Sequence, residues 1–364
     1  MLWVTSPAVT ELEEVTTAWL RDAMGLPAAF SGVINDTASS GTLYALAAAR
    51  EAAGLDIREH GMAGHRLTMY CSEEAHSSVE KAALVLGLGR TGVVKVPTDA
   101  DFRMDVTALR RAVAADRAAG RTPIAVVATV GTTGVTAVDP VAAIAEVCAD
   151  HSLWLHVDAA YAGVTALLPE FGWVLDGCEA ADSLVVNPHK WLFTPVDCSV
   201  LYCRREDVLR RAFSLVPPYL ESAQGDVRNL MDFGLSLGRR FRALKLWFVI
   251  RAFGLEGLRA RIAGHVEMAR QLRGWVEAEP GWELLAPAHF STVVFRHAPA
   301  DLDAAAVDAH NAAVVEAVNA SGRAFVSHTL VRERYAIRVA IGNLQTQLED
   351  VRAMWDLVRE ESLR

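Results

Sequence analysis

Up to about residue 205, short β-branched apolar runs alternate with Ala/Leu-rich stretches of helical spacing, which predicts a mostly parallel sheet covered by helices. The runs fall at 67–71, 93–96, 124–130, 154–158, 183–186 and 199–203. Each is near-continuously apolar rather than alternating, as expected of strands buried on both faces. Between them, helical periodicity covers 42–53, 76–86, 106–118 and 140–151. A first helix is signalled by Thr10 with Glu13 three residues on, the spacing of a capping box, and should end near Gly25. From residue 239 to about 278 the pattern reads as two long helices broken near Gly254, followed by a smaller α+β segment with strands expected at 291–296 and 335–340. The expectation is an α/β protein, with a large sheet domain over 1–250 and a smaller C-terminal domain over 251–364.

Composition narrows the partners. At 364 residues and 52% hydrophobic, the chain has enough apolar surface for a large core, and disorder is excluded. A net charge of -9 and the lack of a long Lys/Arg cluster argue against nucleic acid or an anionic membrane surface, leaving a small molecule as the expected partner. Five cysteines without CxxC spacing suggest reduced core residues rather than a disulfide framework. No apolar run reaches membrane-spanning length and no signal-peptide pattern opens the chain, so the expected location is cytoplasmic.

Two segments carry the chemistry. Trp154 to Val157 is apolar and then turns to Asp158 and small residues, placing a carboxylate at a strand's carboxyl end, where open parallel sheets bind ligands. Leu184, Val185 and Val186 deliver Asn187, His189 and Lys190 to the same rim. Taken singly, such an aspartate is usually a cap and such a lysine is solvated. Taken together, a lysine can hold an aldehyde cofactor as a Schiff base while the aspartate keeps a pyridinium nitrogen protonated, the logic of pyridoxal 5'-phosphate (PLP) enzymes.

His-x-Asp-x-Ala-x-x-Gly from His156 to Gly163, with Asn-Pro-His-Lys-Trp from Asn187 to Trp191, resembles the group II PLP-dependent amino-acid decarboxylases, in particular the aromatic-L-amino-acid decarboxylase branch. The resemblance covers nearly the whole chain. It implies fold type I, with a seven-stranded-type sheet in the large domain, and a homodimer with shared active sites. It also implies decarboxylation of an L-amino acid, aromatic in this branch, through an external aldimine and a quinonoid. By the same resemblance Lys190 and Asp158 hold the cofactor, His76 lies over its ring with Ala160 on the opposite face, and Ala38 and Ser39 bind its phosphate. The phosphate assignment agrees with residues 35–42, which lead directly into a helix whose first amides and positive dipole end suit an anion. Asn187, Thr132 and Gly238 match further cofactor positions, and His189 matches a residue near the substrate carboxylate.

Two departures qualify that picture. The stretch 221–237 resembles the family's mobile catalytic loop, and its proton-donating tyrosine aligns best with Phe233, which has no hydroxyl. Loss of that hydroxyl is associated in the family with oxygen-dependent formation of an aldehyde, so an aromatic aldehyde synthase is the rival reading. The opening residues 2–13 resemble an internal family segment, so the N-terminal helical arm is expected to be missing, with weakened dimerisation. An inactive PLP-binding fragment is therefore a third reading. Trp3, Phe233 and Gly238 are candidates for the substrate pocket.

Overall fold

The computed structural model describes residues 2–215 and 227–364. It divides into two compact units, Met1–Gly131 with Val138–Leu255, and Thr132–Ala137 with Glu256–Arg364. In chain order the first unit carries α1 (Pro7–Ala23), β1 (Ser31–Asn35), α2 (Ala38–Ala52), α3 (Ile57–His60), β2 (Leu67–Ser72), α4 (Ser78–Val85), β3 (Val93–Val96), α5 (Val106–Ala118) and β4 (Thr122–Thr129). There follow α6 (Val141–His151), β5 (Trp154–Asp158), β6 (Ser183–Val186), α7 (Pro188–Trp191), β7 (Ser199–Cys203), α8 (Glu206–Phe213) and the start of α9 (Arg242–Ala278).

The seven strands lie in the order β1-β7-β6-β5-β4-β2-β3. From β6 to β3 every pairing is parallel, while β7 is antiparallel to both its neighbours. Residues of β2, β5, β6 and β7 are buried throughout, which is why these strands read as continuous apolar runs. The sheet matches the expected mostly parallel architecture.

Strand β1 escaped the apolar pattern because only Val33 and Ile34 are large and apolar in it. Tertiary contacts hold it. It pairs over five residues with β7, and side chains satisfy its other edge: Ile34 N–H donates to Glu13 Oε1 (2.8 Å), and Arg228 Nη1 donates to the Gly32 carbonyl (2.9 Å). Gly32 lets α1 close onto this strand, since a Cβ there would come within 2.5 Å of Thr17 Cβ. The expected Thr10/Glu13 capping box is not formed. Ser6 is the N-cap with Pro7 following, the Thr10 hydroxyl donates to the Ser6 carbonyl (3.0 Å), and Glu13 turns inward to β1. Spacing alone cannot separate a cap from a buried acceptor on the next turn.

The second unit contains the rest of α9, then β8 (Trp282–Leu284), β9 (Thr292–His297), α10 (Ala304–Ala320), β10 (Ser327–Val331), β11 (Arg334–Ala340) and α11 (Leu348–Ser362). Its antiparallel sheet has the order β10-β11-β9-β8, and Phe295, Ile337, Val318 and Trp355 are central to its core. Gly254, at φ 65°, breaks α9 where the expected helix break lies. Strands β8 and β10 were not anticipated; they are short and only partly buried, so they carry little apolar signal.

Candidate active site

Because β2, β4, β5 and β6 run parallel, their carboxyl ends share one edge of the sheet. Asp158 ends β5 there, 6% exposed, with Oδ1 accepting the Ala160 N–H at 3.2 Å. The chain leaving β6 is tied to this turn: Asn187 N–H donates to the Ala160 carbonyl (3.2 Å), and Lys190 N–H donates to the Asn187 carbonyl (2.9 Å) within α7. Asp158, Ala160, Asn187 and Lys190 therefore belong to two hydrogen-bonded turns, and the Lys190 side chain is exposed beside them. His189 is clamped to the chain entering β7, its Nδ1 accepting the Cys198 N–H (2.8 Å) and its own N–H donating to the Cys198 carbonyl (3.2 Å).

His76 reaches the same edge from the turn after β2. Its Nδ1 accepts the Ser78 N–H (3.2 Å) and lies 2.9 Å from the Ser78 hydroxyl, which fixes the ring. Burial lowers its pKa; the nearby Asp158 carboxylate opposes that shift, and the Lys190 and Lys81 ammonium groups reinforce it. Burial also lowers the pKa of His189, with Lys190 and Lys245 acting in the same direction and Asp197 and Asp36 against it. Both imidazoles are thus held neutral, and with Nδ1 accepting a backbone N–H each carries its proton on Nε2.

At the start of α2 the N-cap Thr37 accepts the Ser40 N–H through its side chain, while Ala38 and Ser39 occupy the first two helical positions. Amides of a first turn have no acceptor within the helix, so this end suits an anionic group. The strand ends supply a further sign of a ligand. Asn35 Nδ2, Ser72 Oγ, Thr129 Oγ1, Asn187 Oδ1 and Ser199 Oγ are buried without a hydrogen-bond partner. They occupy the last residues of β1, β2 and β4, the residue after β6 and the first of the reversed β7, which all lie at one sheet edge. Unpaired buried polar atoms are uncommon and costly, so five along one edge mark where a polar ligand completes the structure. A phosphorylated pyridinium aldehyde fits this donor set: a helix N-terminus, a buried carboxylate and a lysine.

That fit agrees with comparisons to known proteins. Residues 1–298 match the model of the pyridoxal-dependent decarboxylase conserved domain. The chain belongs to the pyridoxal-dependent decarboxylase family. It is 39% identical to tyrosine decarboxylase 4 of Petroselinum crispum, over 99% of this chain and 73% of that protein. To phenylacetaldehyde synthase of Arabidopsis thaliana it is 36% identical, over 99% of this chain and 75% of that one. The crystal structure of Oryza sativa TDC with PLP and tryptamine superposes with a TM-score of 0.96 at 38% identity, covering all of this chain and 77% of the other. This pyridoxal-dependent decarboxylase is an amino-acid carboxy-lyase whose cofactor is PLP.

Three further sequence candidates in this decarboxylase are Thr132, Gly238 and Phe233. Thr132 opens the Thr132–Ala137 segment, which groups with the second unit; its N–H donates to the Ala137 carbonyl and its Oγ1 accepts the Ala137 N–H, both at 3.0 Å. Gly238 is exposed and lines a cavity of about 200 Å³ with Asn35, Asp36, Phe233, Arg239 and Arg242. Phe233 is 3% exposed, packed in the core around α2 and α8 with the Arg228 guanidinium 4.7 Å from its ring centre. The part of the catalytic-loop resemblance over 221–226 lies outside the described residues. Sequence reasoning gave no role to Thr129, whose unpaired hydroxyl belongs to the residue in register with Asp158, or to the fully buried His156 that opens the motif. For His156 a signal was present, since it lies two residues before Asp158 and so on the same face of β5.

Proposed function

We propose that this decarboxylase acts on an aromatic L-amino acid, releasing its carboxylate as CO2 and yielding the amine. The observation that carries the reading is the hydrogen-bonded pair of turns presenting Asp158 and Lys190 at an edge of unpaired polar groups. When bound, PLP supplies a reactive aldehyde and an electron-accepting ring. Lys190 is the amine that holds the aldehyde, and the Asp158 carboxylate keeps a proton on the ring nitrogen. The α2 amides, Ser39 and Asn187 hold the phosphate side, and Ala160 offers a small surface to the ring. His76 is the donor poised to return a proton from Nε2 to the substrate carbon after CO2 departs, the ring taking up that proton from solvent beforehand and ending neutral. His189, likewise protonated on Nε2, suits a contact with the substrate carboxylate.

The choice of an aromatic side chain follows the tyrosine and tryptophan decarboxylases among the relatives. Aldehyde formation is the second reading, because phenylacetaldehyde synthases are also among them. Its basis in the sequence was Phe233, whose ring is taken up by packing under Arg228. We assign the cytoplasm, since five buried, unpaired cysteines suit a reducing compartment. Among the described residues no helix is long and apolar enough to cross a membrane. We also assign a homodimer: Phe241, Leu244 and Phe248 expose an apolar stripe at and just before the start of α9, suited to a second copy. A fully active monomer in sedimentation would overturn that assignment.

The test is incubation of PLP-loaded protein with tyrosine, tryptophan, DOPA, phenylalanine and glutamate, measuring amine, aldehyde and dissolved oxygen together. Amine from the aromatic substrates without oxygen loss is expected. Aldehyde with matching oxygen consumption would select the second reading, and turnover of glutamate alone would overturn the aromatic assignment.

A further inference from the structure

His156 lies in the middle of β5, completely buried, with both ring nitrogens bonded to residues of other elements. Nε2 is 3.3 Å from the Thr42 hydroxyl on α2, and Nδ1 is 2.9 Å from the Ser183 hydroxyl at the start of β6. Ser183 is in register with His156 across the parallel pair and also accepts the Trp154 Nε1–H at 2.8 Å. A hydroxyl can donate or accept, so the neutral imidazole is satisfied on both sides in either tautomer. The three elements that meet at this ring carry the proposed contacts to the cofactor's phosphate, ring nitrogen and aldehyde. Thr42 is one helical turn beyond Ala38, Asp158 is the next residue on the same face of β5, and β6 runs from Ser183 into the turn holding Asn187 and Lys190.

We propose that His156, through Thr42 and Ser183, is a positioning residue that sets the spacing between the phosphate-holding start of α2, the Asp158 carboxylate and the Lys190 turn. An apolar side chain would fill the volume but leave each of these elements free to settle by its own packing. A bifunctional, planar ring in a close-packed interior holds both hydroxyls at fixed distances, and rigid contacts of this kind decide whether a site keeps its productive geometry. The inference rests on the assignment of Ala38, Ser39, Asp158 and Lys190 to the cofactor.

The experiment compares wild type with Thr42→Val, His156→Gln and Lys190→Ala. For each, PLP release from the holoenzyme is followed by equilibrium dialysis, the bound cofactor by absorbance and visible circular dichroism, and apoprotein unfolding by heat. Thr42→Val preserves shape and removes only the hydroxyl, so it guards against a His156 variant that fails to fold. We expect Thr42→Val and His156→Gln to weaken PLP retention about tenfold, the lower end of what the residues behind the ligands contribute at metal sites, taken here as the nearest scale. Both should also alter the cofactor's dichroism, with KM for the amino acid changing less than kcat. Wild-type retention and dichroism in both variants, whether or not the apoprotein melts earlier, would reduce His156 to a core residue and overturn the proposal. Wild-type retention and absorbance in Lys190→Ala would instead overturn the underlying site assignment.

Discussion

Arg239 Nη2 donates to Glu13 Oε1 at 2.7 Å, and the two side chains, 226 positions apart, are 7% and 2% exposed. The same carboxylate oxygen accepts the Ile34 N–H, and Arg239 also donates to the Ile34 carbonyl, so one buried ion pair seals the outer edge of β1. Removing one partner leaves a largely buried charge without its counter-ion. Glu13→Ala is expected to cost about 3–5 kcal/mol, the scale for breaking a buried pair from one side. Thermal or urea unfolding of the apoprotein measures this, and a loss under about 1 kcal/mol, the value of an exposed pair, would show that water enters the site.

Stability should fall with acid through His156. Burial pushes its pKa down to about 4, against an ordinary value near 6.5, so between these pH values the unfolded chain binds the proton and the folded one does not. The stabilising difference is therefore full above about pH 6.5 and lost as pH falls towards 4, amounting to on the order of 3 kcal/mol. Unfolding midpoints from pH 7 to 4 should show a component of this slope that His156→Gln removes. An unchanged slope in the variant would assign the acid sensitivity to other groups.

At Asp158 the charge matters more than the shape. Asp158→Asn retains an acceptor for the Ala160 N–H but cannot hold a proton on a ring nitrogen by ion pairing. Turnover is expected to drop by ~10²-fold or more, the range for deleting one aimed electrostatic group, while the apoprotein's unfolding midpoint changes little. Nearly normal kcat would move the electrostatic role to another residue.

His76 should rest as a neutral imidazole near neutral pH, because burial holds its pKa below the usual 6.5. A proton donor acts from its protonated form, so the His76 contribution to kcat should grow as pH falls through this lowered pKa and fade as pH rises. Glutamine at this position should lower kcat by roughly 10²–10⁴, the contribution of a positioned proton donor, and remove that pH dependence. A variant with the same pH dependence would show that it belongs to a different group, such as His189.

Phe233→Tyr tests whether the loop position governs the product. Since the Phe233 ring is buried beside Arg228, the added hydroxyl is expected to leave the ratio of amine to aldehyde unchanged. A marked rise in amine at the expense of aldehyde would place residue 233 at the reacting carbon.

Within the first unit, β2 to β7 were legible in the sequence because strands buried on both faces must be apolar at nearly every position. Asp158, Asn187 and Lys190 were legible because chain direction alone brings the ends of adjacent parallel strands to one edge. The fate of Glu13 was not, since its spacing suits a capping box and only its neighbours in space select another role. The chain's own order of residues thus determined the sheet, the aspartate and lysine turns and the chemistry they imply. Only the tertiary structure decided that Glu13 seals a strand edge, that five unpaired polar atoms line the site and that His156 joins α2 to β6. These depend on contacts up to hundreds of positions apart, whose energies come from burial and hydrogen-bond satisfaction, and neither quantity exists until the chain has folded.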